Sequence, residues 1–399
     1  MAHDLIIVGG GLGGAGLGTV MARAGARVLV VERLQRFRDR VRGEGIFPWG
    51  CAEAERLGIL GELRAACGHD IAKWSFHPPS GQSRVRDFPA TTPSGHGMLN
   101  FRHEAMQEAL LHLAEASGAE ILRGAEVVGV APGKFPSVTV RTATSTFALA
   151  GRLVVTADGR ASRMREWGGF AVNFAPDLLR VASTIFQDMP CPADSIHVAN
   201  DPASGRVVLV YPIEVNVART YLIHRASEAG SSYSGAAGTG PFLEACRSLL
   251  EQRGWLDDVH QAGVLGSFNA ASTWVDAPYR DGVALIGDAA GASDPAYGSG
   301  LAMTLRDIRL LSDCLISDSD WESAAIRYAR EHDRDFGALK RNIDWRIQMA
   351  YGTGVQADAD RARAQKLWQE DPSRVPDFHG LGPDAPSDET ARQRYFGLD

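Results

Sequence analysis

The chain has 399 residues, of which 45% are hydrophobic and 22% charged, as in an ordinary globular protein. This length allows a large core and predicts two domains. A formal net charge of −7 gives no reason to expect a nucleic acid or an anionic membrane as a partner. The five cysteines are scattered without a Cys-x-x-Cys pair, and the eleven histidines are dispersed. We therefore expect a cytoplasmic protein with reduced thiols and no metal site.

The first thirty-odd residues carry the strongest motif. An apolar run over 5–8 leads into Gly9, Gly11 and Gly14, and a helical stretch and a second apolar run then end in Glu32. This is the spacing of the dinucleotide fingerprint, in which the glycines allow a tight turn, close approach of a pyrophosphate and helix–strand packing. Free N–H groups at the helix start face the phosphates, and the acid accepts hydrogen bonds from ribose hydroxyls. A turn without a ligand would leave Glu32 unexplained.

The uncharged stretch 5–22 has the length of a membrane span. Its seven glycines and the preceding Asp4 argue against that interpretation. No basic segment precedes it, so it does not read as a signal peptide either.

A basic stretch and a glycine loop follow the first motif. Arg42 beside Gly43 is either a solvated surface charge or a cofactor contact, and the sequence favours neither. Helical periodicity predicts helices over 50–66 and 100–117. Between them, loose alternation over 73–93 predicts hairpin strands.

A second motif follows an apolar strand near the middle of the chain. Asp158-Gly159 forms a turn, and Ser162 opens a short helix. As an isolated signal, Asp-Gly is simply a common turn.

A third motif follows the apolar strand 283–286. Asp288 at its end can bind a sugar-like hydroxyl, and a glycine-flanked loop then leads into a helix over 301–315. The amides near Gly300 and Leu301 can stabilise a partial negative charge. Tyr297 within the loop is a pocket residue or a packing residue.

Between the second and third motifs the chain is rich in strands. The runs 179–186, 205–213 and 218–224 read as strands, and a helix is expected over 240–253. From Trp321 the pattern is helical and charged. We expect 371–399 to be an irregular tail or a lid.

The three motifs together resemble the flavoprotein aromatic hydroxylases, the single-component group A FAD-dependent monooxygenases with a p-hydroxybenzoate hydroxylase-like fold. The resemblance rests on the glycine fingerprint with Glu32, on Asp158-Gly159 with Ser162 and Arg165, and on Gly287-Asp288 with Pro295, Gly298 and Gly300. It implies an α/β fold: a Rossmann-type FAD-binding domain with an inserted antiparallel β-sheet substrate domain and C-terminal helices. Two positions depart from the family pattern: the family often has histidine at the place of Gly291 and glutamine at the place of Ser299. These departures bear on the choice of subfamily more than on the fold.

The expected domains are discontinuous. Residues 1–72, 97–170 and 276–320 would form the FAD-binding domain, and 73–96 and 171–275 the β-rich substrate domain. Residues 321–399 would form a C-terminal helical segment and tail.

The resemblance also implies roles for individual residues. By their predicted placement alone, Tyr211 and His224 are candidates for the substrate pocket, with a structural role as the favoured alternative. Tyr297 is a third candidate, with packing as an equal alternative. Pro295 and Arg42 would lie near the flavin, and no general acid or base is assigned. The cofactor-binding residues would be Gly9, Gly11, Leu12, Gly13, Gly14, Glu32, Arg33, Arg42, Arg102, Val127, Asp158, Asp288, Gly298, Gly300 and Leu301.

The implied reaction uses FAD as cofactor with NAD(P)H and O2 as co-substrates. A flavin C4a-hydroperoxide would hydroxylate or epoxidise an electron-rich small molecule, aromatic or polycyclic, and the protein must exclude water from it.

Related functions stay open as alternatives. Asp294-Pro295 after Gly-Asp-Ala-Ala also suits a flavin-dependent halogenase or a prenyl reductase, although no two tryptophans have the Trp-x-Trp spacing of halogenases. A two-component epoxidase would share every motif and need a separate flavin reductase as partner. A non-catalytic escort protein is disfavoured because such proteins tend to lose the FAD motifs, which this chain keeps.

Overall fold

The computed structural model describes residues 3–39, 41, 43–78, 82–228 and 233–399. The strands of the first half are β1 (Leu5–Val8), β2 (Val28–Glu32), β3 (Gly45–Ile46), β4 (His69–Ile71), β5 (Lys73–His77), β6 (Arg84–Asp87), β7 (Met98–Asn100), β8 (Glu120–Arg123), β9 (Glu126–Ala131), β10 (Ser137–Arg141), β11 (Thr146–Ala150) and β12 (Leu153–Thr156). Those of the second half are β13 (Val172–Phe174), β14 (Leu179–Gln187), β15 (Ser195–Asp201), β16 (Arg206–Glu214), β17 (Val217–Arg225), β18 (His260–Gln261), β19 (Gly266–Asn269), β20 (Thr273–Val275), β21 (Tyr279–Arg280), β22 (Val283–Leu285) and β23 (Gly291–Ala292).

The α-helices are α1 (Leu12–Arg23), α2 (Pro48–Arg56), α3 (Leu60–Cys67), α4 (Phe88–Thr91), α5 (His103–Ala116), α6 (Met164–Trp167), α7 (Gly235–Leu250), α8 (Gly300–Ser317), α9 (Trp321–Tyr351), α10 (Val355–Glu370), α11 (Phe378–Leu381) and α12 (Glu389–Phe396). Within the described ranges, none of these helices combines the length and the apolar content that crossing a membrane requires.

A six-stranded sheet in the order β21-β22-β12-β1-β2-β8 forms the centre of the nucleotide-type half. Its strands pair in parallel except for the antiparallel edge strand β21. The strands 5–8 and 28–32 are buried along their length, and all of their residues except Glu32 are apolar. Continuous apolar strands are typical of a parallel sheet covered on both faces. The predicted α/β fold class is therefore confirmed.

Alternate residues of these strands face two different layers. Leu5, Ile7 and Val30 pack against α1, α5 and α8 in one apolar cluster. Ile6 and Val31 pack on the other face against the three-stranded sheet β9–β11. The period of two in a strand distributes the apolar residues in this way.

A second, eight-stranded sheet has the order β18-β14-β17-β16-β15-β5-β6, with β19 also paired to β14. Its pairs are antiparallel except for β15 and β5, which run in parallel. Residues 73–87 thus lie in one sheet with residues 179–225. The division of the chain into domains stays a prediction.

Strand β15 was not predicted from the sequence. Its segment Ser195–Asp201 mixes Ser, His and Asn with Ile and Val, so the sequence shows no clean alternation. It is nevertheless buried over its first five residues, because α7 covers one face of the sheet and a large aromatic cluster covers the other.

Two expectations about helices need correction. The segment 50–66 forms two helices, α2 and α3, since Gly58 takes a φ of +66° that ends the first of them. The helix after Asp158-Gly159 begins at Met164 and not at Ser162.

The prediction that residues 371–399 have an irregular structure is also wrong. Residues 371–399 contain α11 and α12, and Phe378, Tyr395 and Phe396 are buried. The segment has few apolar residues, but its aromatic rings pack onto α9 and α10. The burial of a few large rings stabilises it where sequence composition suggested a loop.

Candidate active site

The glycine fingerprint forms the turn between β1 and α1. Gly9 has a φ of +101°, and a methyl group added there would lie 2.6 Å from the carbonyl oxygen of Ala157. A methyl group at Gly14 would lie 1.8 Å from the oxygen of Gly9. Both positions therefore exclude any larger residue. The amides in the first turn of any α-helix lack intrahelical acceptors. No side chain caps α1 after Gly11, so these amides remain available to a ligand.

Glu32 is buried at the end of β2, and both of its carboxylate oxygens accept a backbone hydrogen bond. The donors are the N–H of Gly10, at 2.7 Å, and the N–H of Leu34, at 2.8 Å. Each carboxylate oxygen has two lone pairs, so acceptor capacity remains for a ligand hydroxyl. Glu32 thus fixes the glycine turn. Arg33, the next residue and also a predicted cofactor-binding residue, is exposed.

The second motif contacts the third through a buried arginine. Asp158 accepts a hydrogen bond from the hydroxyl of Thr156 at 2.7 Å. Arg165 donates from Nε to the oxygen of Ala289 at 2.7 Å and from Nη2 to the oxygen of Asp288. Burial lowers the pKa of Arg165, and the charges of Asp158 and Asp288 oppose that shift. This guanidinium ties the Asp-Gly turn to the loop after β22.

The third motif begins with a tight turn at Gly287, whose φ is +59°. Its N–H donates to Asp307 Oδ2 of α8 at 2.8 Å. The other oxygen of Asp307 contacts Nδ1 of His332 of α9 at 2.8 Å. Asp307 and His332 are both buried, and the negative charge of Asp307 raises the pKa of His332 against the opposing effect of burial. The pair anchors the start of the loop on two helices.

The end of the loop lies at the N-terminus of α8. A methyl group on Gly300 would lie 3.4 Å from Asp288 Oδ1, so this carboxylate is next to the helix start. A carboxylate at a helix N-terminus is electrostatically favourable. Gly298 has a φ of +65°, and a methyl group there would lie 3.1 Å from the ring of Phe47 and 3.5 Å from the hydroxyl of Tyr211. Asp288, Gly298, Gly300 and Leu301 therefore share one small region.

The first and third motifs are in direct contact. A methyl group on Gly13 would lie 3.2 Å from Thr304 Cγ2 and 3.3 Å from Cβ of Ala157. One on Gly16 would lie 2.7 Å from the side chain of Ile308. Glycines on α1 thus allow this helix to lie close to α8. Because β1, β12 and β22 are adjacent parallel strands, all three motifs meet at the carboxyl edge of one sheet.

These residues fit a flavin dinucleotide. The turn excludes side chains at Gly9 and Gly14, and the uncapped amides of α1 suit a pyrophosphate. Glu32 and Asp288 are placed to accept hydrogen bonds from hydroxyls. The N-terminus of α8 can stabilise negative charge on a ring edge.

Three further predicted cofactor residues lie outside the three motifs in the sequence. Arg102 immediately precedes α5, and its Nε is 2.6 Å from Glu214 Oε1. Val127 lies in β9, half-buried against the central sheet. Arg42 lies outside the described residues.

The three predicted pocket residues do not converge. Tyr211 and Tyr297 belong to one aromatic cluster, and Pro295 opens the 3-10 turn that contains Tyr297. His224 faces the other side of the sheet, where its ring lies 5.1 Å from Tyr233 and its Nδ1 3.5 Å from Glu228. Alternation along β16 and β17 separates them, so the structure does not bring His224 to Tyr211.

A buried ionic cluster beside this region was not predicted. Arg219 of β17 has a side chain only 1% exposed, with Nε 2.7 Å from Glu44 Oε1 and Nη2 2.7 Å from Asp39 Oδ1. The hydroxyl of Tyr221 donates to Glu44. Burial raises the pKa of Glu44 to about 8, and Arg219 and Tyr221 counteract part of that shift. The Gly-Glu-Gly segment was visible in the sequence, but its partner lies 175 residues away.

An aromatic cluster next to Gly298 was not predicted either. Phe47 contacts Trp74 of β5, with ring centroids 6.2 Å apart. The C-terminal segment adds Phe378, 6.3 Å from the ring of Tyr297, and His379, 4.9 Å from that of Phe47. The sequence gives no signal for this cluster, because it joins four segments that are far apart in the chain.

Comparison with known proteins identifies the class. The family model described as "FAD binding domain" matches residues 2–324, so the chain belongs to this family. The resemblance to flavoprotein monooxygenases is confirmed, and so is the prediction of an FAD-dependent monooxygenase or oxidoreductase.

Three relatives show the range of the family. Digeranylgeranylglycerophospholipid reductase 1 of Methanococcoides burtonii is 25% identical over 75% of this chain and 71% of its own length. Squalene monooxygenase of Mus musculus is 25% identical over 82% of this chain, which spans only 57% of that enzyme. The 6-methylpretetramide 4-monooxygenase of Streptomyces rimosus is 28% identical over 77% of this chain and 73% of its own.

Solved structures show the same fold. The flavin-dependent halogenase CmlS superposes with a TM-score of 0.78 at 18% sequence identity, over 100% of this chain and 78% of the halogenase. At this identity the similarity concerns the fold alone.

Proposed function

We propose that this protein is an FAD-dependent monooxygenase that takes electrons from NAD(P)H and uses O2 to hydroxylate or epoxidise an electron-rich small molecule, aromatic or polycyclic. A reducing cytoplasmic location belongs to the same proposal, and the five cysteines are free thiols.

One observation carries the proposal: the three motifs meet at one sheet edge, and an aromatic cluster adjoins the third of them. Gly298 lies against Phe47 and Tyr211, and Tyr211 belongs to the eight-stranded sheet. A ring bound at the N-terminus of α8 would therefore lie between the polar residues of the three motifs and this aromatic cluster. That combination suits oxygen transfer to an apolar aromatic molecule.

The residues of the chain have separate tasks in this reaction. The α1 amides would bind the pyrophosphate of FAD, with Glu32 and Asp288 on its hydroxyls. FAD, when bound, supplies the activation of O2 and the transfer of one oxygen atom. The N-terminus of α8 would stabilise negative charge developing on the ring edge. Phe47, Tyr297 and neighbouring rings would exclude water from the reacting atoms.

A stopped-flow experiment tests the proposal. The FAD-loaded protein is mixed with NADH or with NADPH, with and without phenols and polycyclic aromatics, and bleaching of the flavin absorbance is followed. We expect direct reduction that a substrate accelerates. Absence of reduction by either nucleotide, with reduction by dithionite intact, would contradict a single-component enzyme.

Alternative functions are supported by the relatives and by the fold. The prenyl-lipid reductase among the relatives favours a reductase, and the halogenase with the same fold favours a halogenase. A two-component epoxidase fed by a separate flavin reductase would have the same three motifs. Chemically reduced protein distinguishes them when it is exposed to O2 and substrate. Oxygen incorporation into product indicates an oxygenase, product formation only with chloride or bromide a halogenase, and saturation of a double bond without O2 a reductase.

A further inference from the structure

Strand β11 forms an exposed edge of the three-stranded sheet β11-β10-β9. Four of its five residues are exposed, and no described strand pairs with its outer side. It contains no charged residue and no proline, and neither do the flanking residues 142–145 and 151. Natural sheets normally protect an edge with charges, prolines or very short strands. An edge without this protection is available for pairing with another strand.

The other sheet edges are better protected. Within the described ranges, every edge strand of the other four sheets is shorter than β11. Two of them, β6 and β8, also carry charged residues. The opposite edge of the same sheet, β9, begins with Glu126 and lies against α6. Thus β11 differs from them in both length and charge.

Hydrogen bonds just beyond the ends of β11 show which of its backbone groups point outward. Ser145 accepts the N–H of Thr142, and Gly151 donates its N–H to Pro136, so residues 145 and 151 bond toward β10. This direction alternates along an antiparallel strand, so 147 and 149 also bond toward β10. The outward-pointing N–H and C=O groups belong to three small residues, Thr146, Ala148 and Ala150.

The side chains of β11 carry an apolar face up to this edge. Phe147 and Leu149 lie on one face, opposite two buried valines of β10. Leu149 packs partly against the apolar cluster under the sheet, whereas Phe147 is 37% exposed. Phe135, which is 61% exposed, lies two residues before β10 at the end where Ser137 pairs with Ala150. A strand added at the edge would cover this apolar surface.

We propose that β11 pairs with β11 of a second copy of this chain, in an antiparallel arrangement whose twofold axis passes beside Ala148. In this register Ala148 faces its own copy, and Thr146 faces Ala150 of the second copy. Each of these pairs can exchange two hydrogen bonds. Phe147 then lies opposite Leu149 of the second copy in a pair without backbone hydrogen bonds, where side chains come closest. The two three-stranded sheets join into one continuous sheet.

The composition of the edge favours a second copy over a different protein. Residues 146–150 match themselves about Ala148: small residues face small residues, and phenylalanine faces leucine in both halves. The net charge of −7 makes two copies repel each other, and this edge brings no charge to the contact. Arg141, at the end of β10, pairs with Glu126 of its own chain. Because the contact uses both edges about a twofold axis, association stops at the dimer.

Sedimentation velocity of the FAD-loaded protein tests the contact. We expect a monomer–dimer equilibrium at micromolar concentration, because the interface is small. Ala148→Lys places two ammonium groups opposite each other across the axis and should raise the dimer dissociation constant about tenfold or more. The matched control is Ala131→Lys, exposed at the end of β9, which should dimerise as the wild type does.

Cysteine cross-linking tests the register. Residues paired in this way have Cα atoms about 5.5 Å apart, a distance that a disulfide spans. Ala148→Cys should therefore give a cross-linked dimer under mild oxidation, seen on a non-reducing gel. Thr146→Cys should not, because the same residue of the second copy would lie four residues along the strand, about 14 Å away. The wild type, with its five free cysteines, gives the background.

Three results would overturn the inference. The wild type could remain monomeric, Ala148→Lys could dimerise as strongly as the wild type, or Thr146→Cys could cross-link as efficiently as Ala148→Cys. Circular dichroism and flavin absorbance check that each variant folds, and if Ala148→Lys does not fold, the two cysteine variants decide. Neither measurement depends on turnover, so the failure of this inference and the failure of the proposed function are distinguishable.

Discussion

At the scale of single residues, the site depends on carboxylates that serve the backbone and the ligand together. Glu32 accepts two backbone N–H groups and is also the predicted ribose ligand. Its loss therefore has two consequences: the glycine turn loosens, and the ribose hydroxyls lose an acceptor. A surface carboxylate has neither task.

Glu32→Ala should weaken FAD binding by about 1–3 kcal/mol because two backbone N–H donors and the ribose hydroxyls lose their acceptor. Fluorescence titration of the apoprotein with FAD measures this change. Glu62→Ala, at an exposed position of α3, is the control and should bind as the wild type does. Equal FAD affinity in Glu32→Ala and wild type would contradict our interpretation of the fingerprint.

Gly300→Val tests the loop at the start of α8. A Cβ at this position lies 3.4 Å from Asp288 Oδ1, so the added methyl groups would crowd the carboxylate and the space next to it. We expect loss of FAD, or FAD bound by its adenosine half without NAD(P)H oxidation, in a protein that still folds. Flavin absorbance and circular dichroism together measure this.

The control for Gly300→Val is Gly61→Val in α3, where an added Cβ would meet no atom within 4 Å apart from its chain neighbours and the backbone of its own helix. Wild-type flavin spectra and turnover in Gly300→Val would place the flavin elsewhere.

At the scale of elements, α8 is the part of the fold on which the site is assembled. It contacts α1 through Gly13 and Gly16, carries Asp307 for the Gly287 turn, and presents its N-terminus to Asp288. Arg306 of the same helix pairs with Glu53 of α2 at 2.8 Å, with Asp335 of α9 and with Asp384 of the C-terminal segment. Displacing α8 would therefore disturb both the predicted cofactor-binding residues and the segments that carry the aromatic cluster beside Gly298.

Asp307→Asn tests whether α8 positions the Asp288 turn. The change removes the buried charge that pairs with His332 and weakens the acceptor for Gly287 N–H. We expect lower thermal stability and FAD affinity reduced by about 1–3 kcal/mol. Asp313→Asn, exposed on the same helix, should change neither property. Reduced stability with unchanged FAD affinity would show that the pair supports the fold alone.

At the scale of the whole molecule, the stability of the fold depends on a pair of buried histidines in the eight-stranded sheet whose pKa values are lowered. His77 of β5 and His197 of β15 are 3.2 Å apart, and Trp255 packs against both. Burial lowers the pKa of His77 from 6.5 to about 4 and also lowers that of His197. The unfolded chain therefore binds more protons than the folded protein between about pH 6.5 and 4.

It follows that this pair stabilises the fold above about pH 6.5 and that the stabilisation is lost as the pH falls toward 4. The buried Glu44 and Asp294 have pKa values raised to about 8 and about 7 and contribute with the opposite sign. The test therefore uses a difference between proteins. His77→Gln should show a smaller fall of melting temperature between pH 7 and pH 5 than the wild type, measured by calorimetry. An identical fall in both proteins would contradict the role of His77.

The sequence by itself determined the parts of this protein that depend on local chemistry. The glycine turn at Gly9 and Gly14, the acid at Glu32 and the strand–loop–helix at Asp288 can be predicted because short backbone geometry allows few residue types there. The apolar runs likewise indicated the parallel sheet, since buried strands need continuous apolar sequence.

The tertiary structure alone decided which distant segments meet. Strand β15 is stabilised by the layers that cover it, and not by its own alternation. Arg219 finds Glu44, and His379 reaches Trp74 and Phe47, through contacts between residues far apart in the chain. Such pairings follow from the packing of whole layers, so no local pattern in the sequence encodes them.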